Sequence, residues 1–165
     1  MEEQVNWEAK LKEALERTEF LCLGTSDEAG TPWTNPLGYA YDENMNLYIL
    51  SEMQSRHIQN ALKRDTVSVS IYKTERFETG DIFGLQITGK LEQIVDSDDL
   101  KKVSNIYFNR LHKSEEFKKI TSVHGRSSAP WQFFKISPEE VWCFDTRQWK
   151  DGRKKVPHEF LFNLN

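Results

Sequence analysis

The chain has 165 residues, a length that favours one domain with a buried core. Its 22 Lys and Arg against 26 Asp and Glu give a net charge of −4, which argues against a nucleic-acid-binding surface. The first residues are acidic where a secretory signal needs basic ones, and no segment reaches the roughly 18 apolar residues of a membrane span. We therefore expect a cytoplasmic protein that binds neither membranes nor nucleic acid.

The predicted elements begin with a surface helix over 5–18, in which Trp7, Leu11 and Leu15 recur at helical spacing. Residues 20–50 then predict three strands, separated by the turn-forming sequences DEAG and DENMN. A helix of about three turns follows in SRHIQNALKRD, with Ser55 as its expected N-cap.

The second half of the chain returns to strands and adds one helix. VSVSIY and IFGLQITGKLEQI alternate apolar and polar residues, and Gly89 is expected at a bend or bulge. DSDDLKKVSNIYFNRLHK has helical spacing, WQFFKISPEEVWCFD predicts a last β segment, and the tail over 146–165 has no clear period. About six strands with helices at three places predict a mainly β fold, either an antiparallel barrel or a strongly curved sheet.

The strongest candidate site lies in LYILSEMQSRH, where a strand passes into a helix. The free N–H groups of the first helical turn, the Arg56 guanidinium and the hydroxyls of Ser51 and Ser55 suit a phosphate, and His57 adds to the local positive field. The alternative is that Ser55 only caps a helix whose basic residues face water, and from spacing alone that is the commoner case.

A second candidate site lies in TPWTNPLGY. It places the ring of Trp33 beside the hydroxyl of Thr34 and the amide of Asn35, which suits a flat heterocycle, although an ordinary strand with a surface Trp explains these residues equally well. The sequence lacks the nucleotide-binding, serine-hydrolase and zinc-protease motifs, and its four histidines form no metal-ligand pattern. We predict no metal site.

Four segments together point to a family. NPLGYAYDENMNLYILSEMQSRHIQNAL, VSVSIY, LQITGKLEQI and APWQFFKISPEEVWCFD, taken in order, resemble the flavin-binding split-barrel family typified by pyridoxamine 5'-phosphate oxidase. The resemblance covers roughly residues 18–150. It implies a β-rich, six-stranded antiparallel split barrel with peripheral helices, as one domain over 1–165. It also implies a homodimer with FMN in clefts between the subunits.

The resemblance also assigns site residues. The turn that would hold the FMN phosphate contains Ser55, Arg56 and His57, and the strand end that would run beside the flavin contains Leu50 and Ser51. The strand that would line the ring contains Thr34, Asn35 and Pro36, and Trp131 is the aromatic residue that would approach from the C-terminal strands. Tyr107 and Arg110 are candidates on the substrate side, with a core tyrosine and a solvated arginine as the alternative.

Several departures from the oxidase bear on the reaction. Thr34 stands where the oxidase has an arginine, Tyr39 and His57 stand where it has lysines, and its C-terminal Arg-Leu-His substrate motif is missing. We therefore expect an FMN-dependent oxidoreductase acting on an unidentified small molecule rather than vitamin B6 oxidation. The alternatives are a non-catalytic protein that binds, senses or stores flavin or haem, and a structural or interaction module without a ligand. A deazaflavin or haem in place of FMN also stays open.

Overall fold

The computed structural model describes residues 5–72, 81–111, 115, 130–149 and 151–161, and its strands form one antiparallel barrel. The helices are α1 (Trp7–Glu16), α2 (Arg56–Lys63) and α3 (Ser97–Leu111), with a 3-10 turn at His158–Leu161. The strands are β1 (Phe20–Ser26), β2 (Pro32–Tyr41), β3 (Leu47–Glu52), β4 (Thr66–Tyr72), β5 (Phe83–Gln93), β6 (Trp131–Asp145) and β7 (Arg153–Lys155).

The barrel is closed by a pairing between strands that are distant in sequence. Neighbouring strands follow the order β3-β2-β1-β4-β5-β6, and β3 pairs again with the first half of β6. This confirms the prediction of a mainly β, six-stranded antiparallel split barrel with peripheral helices. The strand β7, which pairs with the second half of β6, lies in the tail that has no clear hydrophobic period. A single domain over 1–165 stays a prediction.

Two helices cover the two ends of the barrel. α1 buries the apolar face predicted for it, including Leu11 and Leu15, and the Tyr39 hydroxyl donates to the Leu15 carbonyl at 2.7 Å. α2 lies at the other end, where Asn60 Nδ2 donates to Thr25 Oγ1 at 3.3 Å. No described helix is long and apolar enough to cross a membrane.

The helix α3 covers part of the outer surface and forms a second apolar core there. Its buried residues pack against Tyr48, Leu50 and Phe133 on the outside of the barrel. The outward side chains of β4 and β5, such as Ser68, Gln86 and Thr88, are exposed. Among the described residues no helix covers this part of the barrel.

The barrel opens between β2 and β3. These strands pair only from Tyr39 to Tyr41 on β2. Their far ends, Pro32–Gly38 and Leu50–Glu52, are not paired with each other, and no described strand lies between them. Pro32–Gly38 remains paired to β1 on its other edge. A strand edge that lacks a strand partner in the described structure therefore faces this opening, beside the start of α2.

Candidate functional site

Three side chains from the first predicted site meet where β3 passes into α2. Ser51 Oγ lies 2.8 Å from His57 Nε2, and Ser55 Oγ lies 3.2 Å from the same nitrogen and 3.3 Å from Ser51 Oγ. Ser51 and His57 are both buried. The short turn after β3 brings the second residue of α2 back against the strand end. The structure thus brings these sequence-predicted residues together.

Ser55 stands at the predicted N-cap position, but its side chain caps no helix N–H. Its hydroxyl donates instead to the Glu52 carbonyl at 2.8 Å. With its one proton used, Ser55 can only accept a hydrogen bond from His57 Nε2–H. That tautomer serves both serines, and the Ser51 hydroxyl is then the donor in its 3.3 Å contact with Ser55 Oγ. The capping alternative therefore does not describe the side chain of Ser55, whose oxygen leaves the first-turn N–H groups to another acceptor.

His57 is neutral in this cluster at neutral pH. Its burial against the strand end lowers the pKa of the imidazole below the ordinary value of 6.5, because the charged form loses hydration. The first turn of α2 contains no acidic residue, so no carboxylate in that turn offsets the positive end of the helix dipole.

Arg56 lies against the second predicted site. Its guanidinium carbon is 4.3 Å from the ring centroid of Trp33, and 40% of the Trp33 surface remains exposed. Arg56 forms no ion pair with any described residue. On the same helix Lys63 is paired with Glu28 at 2.7 Å. Arg56 thus rests on an aromatic ring and forms no ion pair among the described residues, although its charge acts on the nearby Asp27 carboxylate.

The other predicted cofactor residues lie along the opening between β2 and β3. Thr34 and Pro36 are exposed, and Asn35 Nδ2 donates to the Pro36 carbonyl at 3.3 Å. Leu50 is buried under α3. Trp131 is half-buried against the same apolar cluster and pairs with Glu52 across β6 and β3. The roles assigned to these residues stay predictions.

The two substrate-side candidates make structural contacts. Tyr107 is buried, which raises its pKa to about 12, and its hydroxyl donates to the Gly38 carbonyl at 3.4 Å. Arg110 donates to the carbonyls of Tyr39 at 3.1 Å, Thr18 at 2.9 Å and Leu15. The contacts of Tyr107 match the core-tyrosine alternative. Arg110 is a partly buried cross-link between backbone carbonyls rather than a solvated arginine. A substrate role for either residue stays a prediction.

Sequence reasoning missed two polar residues near the site. Gln132 pairs with Ser51 across β6 and β3 and is buried, with its amide oxygen 3.4 Å from Gln93 Nε2. Asn60 is also buried, on the inner face of α2. Each of these polar residues stands at a position where the sequence pattern predicts an apolar residue facing the barrel interior. That departure from the pattern was the only signal in the sequence that could have identified them. The described residues contain no cluster of three His, Cys, Asp or Glu that could hold a metal ion.

Three solved structures show the same fold. A haem-binding protein from Mycobacterium smegmatis has a TM-score of 0.72 at 12% identity, covering 96% of this chain and 61% of that one. The haem storage protein of Vibrio cholerae gives 0.66 at 19%, covering 83% and 94%. An FAD-binding protein from Mesorhizobium loti gives 0.62 at 23%, covering 83% and 92%.

The family model described as pyridoxamine 5'-phosphate oxidase matches residues 7–144, which is most of the chain. No curated protein matches. The matched range contains the barrel strands, the opening between β2 and β3, and the cluster at the start of α2. The chain therefore belongs to the pyridoxamine 5'-phosphate oxidase family.

Proposed function

We propose that this chain binds FMN and uses it for two-electron transfer to or from a small molecule. The observation that carries the proposal is the start of α2, where Ser51 and His57 meet beside an uncapped first helical turn and an unpaired Arg56. This donor set fits a phosphate dianion, because it offers backbone N–H groups, the Ser51 hydroxyl and a guanidinium fork together. Family membership supports flavin rather than a free phosphate as the ligand.

The ring would lie along the open edge of β2. A flavin ring carries alternating hydrogen-bond donors and acceptors at its edge, and the backbone groups of Pro32–Gly38 that face the opening lack a strand partner. Thr34 and Asn35 would add a hydroxyl and an amide. The bound flavin would supply the redox chemistry, and the residues of the chain would bind it, orient it and exclude water from one of its faces.

A homodimer completes the proposal. The outer face of β1 and β4 exposes Phe20 at 58% and Tyr72 at 50%, on two strands that are paired between Cys22–Gly24 and Ser68–Ser70. Exposed aromatic rings on a sheet face are typical of protein interfaces. Pairing of two chains through this face would enclose the opening between subunits, so the flavin affinity should fall as the protein is diluted below its dimer dissociation constant. A monomer that binds FMN with equal affinity would contradict the shared cleft.

A second candidate is haem binding or storage. It is supported by the two structural neighbours that are haem proteins. His57, however, has its Nε2 atom engaged by both serines, so this nitrogen would have to leave those contacts to bind iron. The donor set at α2 therefore fits a phosphate better than a metal.

The first experiment is an absorption spectrum of the purified protein, before and after incubation with excess FMN and desalting. We expect flavin bands that persist after desalting, and bleaching of those bands by NADH or NADPH, with recovery in the presence of an acceptor. Flavin that binds but is not reduced would favour storage or sensing. A haem spectrum would favour the second candidate. A protein that retains neither chromophore would contradict cofactor binding and leave an interaction module.

A further inference from the structure

The last turn of α3 contacts β2 where that strand leaves its pairing with β3. The pairing starts at Tyr39, and Gly38 ends the edge segment, Pro32–Gly38, which lies along the opening. The Tyr107 hydroxyl donates to the Gly38 carbonyl at 3.4 Å, and a Cβ atom added at Gly38 would lie 3.0 Å from Leu111 Cδ1. The helix therefore packs directly on the backbone of β2 at this junction.

Arg110 makes the charge-assisted contacts at the junction. Its Nε donates to the Tyr39 carbonyl at 3.1 Å, and its Nη2 donates to the Thr18 carbonyl at 2.9 Å and to that of Leu15. The Tyr39 N–H donates to the Glu19 carbonyl at 3.0 Å, so both backbone groups of Tyr39 are bonded outside the pairing with β3. One guanidinium thus joins α3 to β2 and to the chain that leaves α1.

The guanidinium of Arg110 also lies against two aromatic rings. Its carbon is 5.0 Å from the ring centroid of Tyr39 and 4.8 Å from that of Tyr41. Such contacts stabilise a cation and restrict its rotamers. Backbone carbonyls and rings on one side of the junction therefore fix both the position of Arg110 and that of Tyr39.

The opposite end of the edge segment has a different anchor. There the Arg56 guanidinium carbon lies 4.3 Å from the ring centroid of Trp33. A phosphate bound at the start of α2 would draw on this same guanidinium, so the Arg56 contact is shared with the proposed ligand. The hydrogen bonds of Arg110 involve no group of the proposed flavin site except the backbone of β2. Arg110 is thus the anchor that does not compete with the ligand.

We propose that Arg110 is a positioning residue for the flavin site, a role that rests on the proposed function. By holding Tyr39 it fixes the direction in which the edge segment leaves the barrel, and with it the backbone groups along which the flavin ring would lie. Groups that are already in place cost no ordering free energy when the ligand binds. In this role Arg110 acts through β2 and does not touch the flavin.

Backbone hydrogen exchange of the ligand-free chain tests the position of β2 directly. We expect Arg110→Ala to speed exchange over residues 33–39 by about tenfold or more, because a charge-assisted anchor is lost, and to leave exchange in β4 unchanged. Arg147→Ala is the matched control, since it removes a cation bonded to Asp145 at the end of β6 and should not change exchange over 33–39. Equal exchange over 33–39 in Arg110→Ala and the native chain would overturn the proposal.

FMN binding gives the second readout. Arg110→Ala should weaken FMN binding by about tenfold, because part of the edge segment must then be ordered by the ligand. The visible circular dichroism of its FMN-saturated complex should also differ from that of the native complex, since the ring contacts a displaced strand. Arg147→Ala should keep the native affinity and spectrum. Arg110→Lys keeps the charge with fewer donors, so it should recover part of both. A native affinity and spectrum in Arg110→Ala would contradict the positioning role.

Two further variants keep the test decisive if Arg110→Ala does not fold. Arg110→Lys and Tyr107→Phe each remove part of the contacts with the junction, and each should give a smaller change in the same direction. The two proposals also fail separately. A native chain that binds no FMN contradicts the proposed function, and exchange over 33–39 then decides alone whether Arg110 positions β2. Native FMN binding by Arg110→Ala contradicts only the positioning role.

Discussion

The two ends of the barrel use charged residues in different ways. At the α1 end Asp145 is buried and bonded to Lys10 at 2.5 Å and to Arg147 at 2.8 Å. At the α2 end Arg56 rests on the Trp33 ring, outside any ion pair of the described residues. Charges at the first end are used to hold the fold. The unpaired charge at the second end remains available to a ligand.

The packing around each charge explains this difference. Lys10 lies 5.1 Å from the Trp149 ring centroid and Arg147 lies 4.6 Å from that of Phe83, so both cations are held by aromatic faces as well as by Asp145. Burial alone would raise the pKa of Asp145, but hydrogen bonds from Arg147 and Lys10 outweigh it and lower the pKa to about 2. At the α2 end the buried groups are neutral, and the cation is at the surface.

Removal of the carboxylate at the α1 end should have the largest effect on stability. We expect Asp145→Asn to lower the free energy of unfolding by about 3 kcal/mol, because it leaves two cations without their anion in a partly buried site. Urea unfolding measures the loss. Asp65→Asn removes an exposed pair with Lys90 and should have a much smaller effect on stability, because solvent screens exposed ion pairs. Similar losses in the two variants would mean that the ion pairs of Asp145 stabilise the fold no more than an exposed pair does.

Removal of the cation at the α2 end should change binding rather than stability. We expect Arg56→Ala to weaken FMN binding by about 1.5 to 3 kcal/mol, or one to two decades, since a charged hydrogen bond to phosphate is lost. Fluorescence titration with FMN measures the affinity. Lys63→Ala on the same helix removes a cation that is paired with Glu28, and it should have little effect. Unchanged affinity in Arg56→Ala would place the phosphate elsewhere.

Acid should weaken the ion pairs of Asp145 with Lys10 and Arg147 at the α1 end. The pKa of Asp145 is lowered from 3.8 in the unfolded chain to about 2 in the folded one, so the unfolded chain binds the proton more readily. The contribution of this group is fully present above about pH 5 and is lost as the pH falls toward 2, with a size of about 2 kcal/mol. The stability difference between the native chain and Asp145→Asn should therefore shrink over this range. A constant difference would contradict the lowered pKa.

The smallest expected effect is that of His57, at the α2 end, on the pH dependence of FMN affinity. NMR titration of the ligand-free chain should give a His57 pKa below 6.5, because burial disfavours the charged ring. Bound phosphate should raise that pKa, so FMN affinity should increase as the pH falls, by about tenfold for each pK unit of the rise. His57→Gln removes this part of the pH dependence and leaves that of the phosphate itself. Identical pH profiles for the two proteins would exclude contact between His57 and the phosphate.

Local patterns were sufficient for much of the fold and of the site. The helical spacing of Leu11 and Leu15 predicted the face of α1 that is buried, and the alternation in VSVSIY predicted β4. Ser51 and His57 could be predicted as neighbours because only a short turn separates the strand end from the helix. Such features depend on residues close in sequence, whose geometry follows from backbone periodicity.

Other features depended on contacts between distant residues. The sequence did not predict that Arg110 would bind three carbonyls, because all three belong to residues far from it in sequence. The contact of Arg56 with Trp33 likewise joins residues from different elements, and the position of Arg153 beside Trp142 requires the pairing of β6 with β7.

The sequence by itself determined the six barrel strands, the three α-helices and the phosphate-suited segment at 51–57, because these features follow from the spacing of residues close in sequence. Only the tertiary structure decided which cations form ion pairs with a buried carboxylate. Lys10, which is far from Asp145 in sequence, pairs with that carboxylate, whereas Arg56 and Arg153 lie against aromatic rings. The physical reason is that ion pairing depends on distance and burial, and strand closure alone brings these groups together or keeps them apart.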